Sequence, residues 1–120
     1  MNLSPEANGV ATKLADEFVR FLARACPAWE VGFFRFALGD AGPAATASIV
    51  VGAEVAVVDH PGVLDLLSER GKALFGALGR SKGVVLFVVG ASSRQCEIRF
   101  DLEDLERWTL EAGTGMPRGL

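Results

Sequence analysis

Few side chains in this chain are suited to chemistry. His60 is the single histidine, and general-base work would need a carboxylate to orient it and a nucleophile in front of it. Asp59 precedes it, but neighbours on a strand point to opposite faces. With Pro61 and Gly62 following, His60 reads as a turn residue. Glu54 and Asp59 are the other titratable groups expected at strand ends, and neither has a partner nearby in sequence. There is no Gly-x-Ser-x-Gly elbow and no activating motif around a cysteine, so nucleophilic catalysis has no candidate. Cys26 and Cys96 lie far apart without a neighbouring histidine, which excludes the spacing of a metal site. Both read as buried, unbridged, small apolar residues in a reducing compartment.

The glycines from Gly76 to Gly83 superficially resemble a phosphate cradle. A P-loop needs a strand, then glycines, then a helix N-terminus aimed at the anion. Here a helix precedes the glycines and a strand follows them, so Ser81 and Lys82 belong to a solvated connection. The densest charge is acidic: Asp101, Glu103, Asp104 and Glu106. In the first turns of a helix such carboxylates are favoured by the macrodipole, and the same cluster would suit a basic partner. Glu97 and Arg99 point outward from the strand before it and extend the polar face. Trp108 follows, either as an interface anchor or, by its spacing from Leu105, at the edge of the core.

The elements that position these residues follow from periodicity. Val10, Ala11, Leu14, Phe18, Phe21, Leu22 and Ala25 fall on one helical face over 4–25, with Ser4 and Pro5 as cap and first-turn pair. Lys13 with Glu17, and Asp16 with Arg20, have the four-residue spacing of helical ion pairs. Trp29 to Leu38 reads as a strand whose double Phe calls for a bulge or for burial on both faces. After the Gly39–Pro43 turn, Ala45 to Val51 and Glu54 to Asp59 form a tight antiparallel hairpin. A second helix runs from Val63 to Leu78. Val84 to Val89 has the apolar run of a central strand. Beyond the Ala91–Arg94 turn, Cys96, Ile98 and Phe100 alternate with polar residues. Asp101 then caps a third helix ending at Gly113.

The expected architecture is therefore α+β: a mainly antiparallel five-stranded sheet packed by helices, in the order α-β-β-β-α-β-β-α. One domain spans 1–112 and a flexible tail spans 113–120. The chain has 120 residues, half of them hydrophobic, which suits one core. Its 15 acidic and 12 basic residues give a net charge of −3. Together with scattered basic residues and aromatic residues on buried faces, that argues against a nucleic-acid binder. No apolar run reaches membrane-spanning length. The N-terminus lacks a secretory leader, so a cytoplasmic location is expected.

The segment Cys26-Pro27-Ala28-Trp29-Glu30 leading into the first strand, and the late segment from Cys96 through Phe100-Asp101-Leu102-Glu103-Asp104-Leu105-Glu106-Arg107 to Trp108, resemble the YezG-like immunity proteins, small bacterial antitoxins. The resemblance spans most of the chain. Where the family often has an aromatic residue before the acidic pair, this chain has Leu102. Membership implies a protein that binds and blocks a cognate toxin, with a nuclease or deaminase groove as the plausible basic target. The expected contact residues are Glu97, Arg99, Asp101, Glu103, Asp104, Glu106 and Trp108. No catalysis, cofactor or metal is expected, and a monomer is slightly favoured. The alternative is an acidic chaperone of the type III secretion kind, which has the same element order. It should expose apolar grooves and form dimers. An enzyme would require a pocket with polar groups converging on His60.

Overall fold

Residues 3–93 and 95–120 are described in the computed structural model. Met1 and Asn2, the start of the stretch read for a leader, lie outside them, and so does Arg94, the last residue of the expected 91–94 turn.

Helix α1 (Pro5–Ala25) begins where Ser4 Oγ accepts the backbone N–H of Ala7 at 3.2 Å. Its apolar stripe of Ala7, Ala11, Leu14, Phe18 and Leu22 is buried. Helix α2 (Pro61–Leu78) starts two residues earlier than periodicity implies, because His60 is itself the cap: Nδ1 accepts the Val63 N–H at 3.2 Å. Gly79, at φ 68°, closes it in the left-handed conformation. The two helices are tied by Arg70 of α2 and Glu17 of α1 at 3.1 Å. Glu17 therefore pairs across the helices and not with Lys13. Among the described residues no Asp16–Arg20 ion pair forms either.

Both helices lie on one face of a five-stranded antiparallel sheet of β1 (Val31–Gly39), β2 (Gly42–Val51), β3 (Glu54–Val57), β4 (Gly83–Gly90) and β5 (Cys96–Asp101), ordered β3-β2-β1-β4-β5. The middle strand is β1, not β4, whose apolar run had indicated that place. The double Phe is explained by burial on both faces, since the β1 register against β2 and β4 runs without a bulge. Phe34 and Phe36 join Ala47, Val85, Phe87 and Val89 beneath the helices. Gly71 lets α2 come close: a Cβ there would lie 2.5 Å from the Phe36 ring. Phe33 and Arg35 point to the other face, beside Val84 and Leu86.

That second face is covered by the C-terminal segment, not by a helix. The third helix expected from Asp101 to Gly113 is replaced by successive turns over 102–109. The cause is tertiary. Carbonyl oxygens of Leu105 and Arg107, which a helix would give to amides four residues on, instead accept from the Arg35 guanidinium. Trp108 sits at φ 60°, outside helical geometry. Residues 113–120, set apart in sequence as a tail, return to the sheet. Leu110 bridges Pro117, Met116 packs on the Phe33–Trp108 cluster, and a Cβ on Gly115 would lie 3.1 Å from Val57 Cγ2.

Candidate partner-binding surface

The surface begins on β5, an edge strand. Pairing of Glu97 with Val88, Arg99 with Leu86 and Asp101 with Val84 puts the three charged side chains on the sheet face opposite the helices. The side chains alternate between the two faces as expected, but the face expected to be buried is not: Cys96 is exposed and Ile98 and Phe100 are half-buried. Two-residue spacing then lets Arg99 Nη2 meet Glu97 Oε2 at 3.0 Å, so these charges largely neutralise each other.

Beyond β5 the chain is shaped by its own carboxylates. Asp101 Oδ1 accepts the amides of Glu103 at 3.0 Å and Asp104 at 2.9 Å, while Oδ2 meets Arg107 Nη1 at 3.2 Å. The expected cap is present, although it opens a turn and not a helix. These contacts hold the Asp101 carboxyl below the ordinary carboxylate range, the Asp104 and Glu103 amides contributing most and Arg107 less. Asp104 repeats the device, its Oδ1 accepting the Glu106 amide at 3.0 Å. Glu103, Asp104 and Glu106 are exposed, and none of them enters an ion pair among the described residues.

Arg35 fixes the segment from below. Its side chain rises from the middle strand, is 6 % exposed, and donates from Nε to the Arg107 carbonyl at 2.9 Å and from Nη2 to that of Leu105. Burial pulls its pKa down, and the Glu106 and Asp104 carboxylates act in the opposite sense. An arginine stays charged under such conditions. The acidic ridge is thus held over a buried cation.

Trp108 is 4 % exposed and packs with Phe33, Val84 and Leu86, so it supports the surface from inside and does not form part of it. The Arg107 guanidinium covers the indole at 5.0 Å from its centroid. Among the described residues Trp108 Nε1, Thr46 Oγ1 and Ser48 Oγ are buried without hydrogen-bond partners.

The structure therefore divides the seven expected contact residues. Glu103, Asp104 and Glu106 form an exposed ridge, Glu97 with Arg99 and Asp101 with Arg107 are paired beside it, and Trp108 lies under it. Arg35 was missed by sequence reasoning. Its signal was a lone cation inside the apolar run Phe33-Phe34-Arg35-Phe36.

Elsewhere, His60 is occupied as the cap of α2 with its ring edge-on to Phe21, the centroids 5.3 Å apart. Both cysteines are free, and Cys96 is exposed where a buried residue had been expected, because it lies at the start of the edge strand. Among the described residues no three His, Cys, Asp or Glu side chains gather as metal ligands would. No helix there is long and apolar enough to cross a membrane. Comparison with protein-family models and with curated proteins found no match to this chain.

Proposed function

We propose that this protein is a binding module that engages a basic protein partner through the ridge of Glu103, Asp104 and Glu106, and that it acts as an immunity protein blocking a toxin domain. One observation carries the reading: three exposed carboxylates without ion-pair partners stand on a segment pinned to the sheet by Arg35. A preorganised ridge loses little conformational entropy on docking. Its charge accelerates encounter with a positively charged groove of the sort that binds nucleic acid. The resemblance of the 96–108 segment to YezG-like immunity proteins supports the same reading.

The test is capture from the lysate of the encoding organism, with wild-type bait and a Glu103→Lys, Asp104→Lys, Glu106→Lys variant. The reading expects the wild type alone to retain a basic protein that is toxic when expressed by itself and harmless when co-expressed with this chain. Equal retention by both baits would remove the ridge from the account. A retained protein that is not toxic would remove the immunity role.

A further inference from the structure

We propose that β5 is a self-association edge, at which a second copy of this chain pairs antiparallel about Ile98 and extends the sheet across a two-fold axis. The inference is independent of the ridge's partner.

The two edges of the sheet differ. β3 has four residues and is approached by Gly115 of the returning C-terminal segment. β5 has six, and among the described residues no backbone hydrogen bond other than those of its β4 ladder involves Glu97, Ile98, Arg99 or Phe100. Alternate residues of β5 direct their N–H and C=O groups away from β4, and those groups are a template for another strand.

The side chains select both the occupant and the register. A two-fold antiparallel pair must place residues of the same face opposite each other, so its axis passes through a residue. Centred on Glu97 the pairing sets Glu97 against Glu97, and centred on Arg99 it sets Arg99 against Arg99. Like charges directly opposite are destabilising. Centred on Ile98, it sets each Glu97 against the Arg99 of the other copy. Because Glu97 and Arg99 are already 3.0 Å apart within one strand, the four charges then close into an alternating ring. On the helix-side face, Ile98 meets Ile98 and Cys96 meets Phe100. That covers an exposed thiol and two half-buried apolar side chains. A register centred on Phe100 also opposes unlike charges, Arg99 with Asp101. It pairs only the last residues of the strand, however, and Asp101 is already committed to Arg107 and to two amides.

The pairing is tested by sedimentation of the full chain between about 1 and 500 µM, a range that brackets the affinities of small interfaces. Wild type is expected to dimerise. Glu97→Arg opposes Arg with Arg and Arg99→Glu opposes Glu with Glu, so each variant alone should weaken the dimer by at least about tenfold. Mixed in equal amounts, the two variants oppose unlike charges at every position and should associate again, which a folding defect in either would not permit. Wild-type protein that stays monomeric throughout overturns the proposal and leaves the edge to a strand of another protein. Single variants that dimerise like wild type, or a mixture that does not recover, overturn the register.

Discussion

Nε of Arg35 on the middle strand donates to the carbonyl oxygen of Arg107 at 2.9 Å, joining residues 72 positions apart and fixing the segment that carries the acidic ridge. Hydrogen bonds from a charged donor are worth more than neutral ones, and the carbonyls they satisfy lie against the sheet. Arg35→Met keeps the length of the side chain and removes both bonds, and is expected to lower the unfolding free energy by about 2–3 kcal/mol. Arg35→Lys should recover less than half of that, since one ammonium cannot reproduce the fork. Urea denaturation of the three proteins checks both, and an Arg35→Met midpoint equal to wild type would remove Arg35 from its role.

Two helical glycines should respond in opposite directions. Gly71 faces the Phe36 ring, where an added Cβ would come within 2.5 Å; Gly71→Ala should destabilise by about 1–3 kcal/mol through overpacking. Gly9 lies exposed on α1 with nothing within 4 Å of an added Cβ. Gly9→Ala should stabilise by about 0.5–1 kcal/mol. A Gly71→Ala melt at or above wild type would contradict the close approach of α2 to β1, and a Gly9→Ala melt below wild type would contradict the open setting of Gly9.

His60 caps α2 through one ring nitrogen at 3.2 Å, and the first turn of that helix holds no acidic residue. Asp at this position supplies both a good cap and a negative charge at the helix N-terminus, so His60→Asp should stabilise by about 0.5–1 kcal/mol at neutral pH. A catalytic His60 would not tolerate the exchange: if the proposed toxin protection is lost in this variant without loss of stability, His60 serves the function and not only the cap of α2.

Asp101 makes a pH-dependent contribution whose sign follows from its contacts. Its carboxyl is held below the ordinary range, foremost by the Asp104 and Glu103 amides. The ionised form therefore favours the folded state. That stabilisation is complete above the unfolded value of about 3.9 and is lost as pH falls through the lower folded value. Asp101→Asn keeps an acceptor for the amides but has no charge to titrate. The stability gap between wild type and this variant should be constant from pH 7 to about pH 5 and narrow on further acidification. A gap that persists unchanged to pH 2 would show that the amides bind the neutral side chain equally well.

Much of this fold was legible because the two helices each bury a single apolar stripe and the strands carry β-branched and aromatic runs. The stripe of α1 is a local pattern that the structure buries, whereas β5 keeps its alternation of faces but, as an edge strand, leaves Cys96 exposed and Ile98 and Phe100 half-buried. Phe33 and Phe34 required burial on both faces, which the pattern conveyed without saying what covers the second face. What covers it was not legible. The 101–109 segment has a helical start signal in Asp101 and apolar residues at helical spacing, and local propensity alone would wind it. Arg35 overrides that propensity from a distant strand by taking two of its carbonyls. The acidic ridge could be read from composition. Its division into free and paired carboxylates could not, because Arg99 and Arg107 find their partners only once β5 and the following turns are formed.

The central claim, that the sheet holds the ridge in place through Arg35, is tested most directly by backbone hydrogen exchange in wild type and Arg35→Met. Amides of Arg107, Thr109 and Glu111 donate to Asp104, Glu106 and Met116 in the folded segment. They should be protected in wild type, and in the variant they should exchange at least about tenfold faster while β1 and β4 remain protected. Equal protection of these amides in both proteins, or fast exchange of 105–117 already in wild type, would contradict the account.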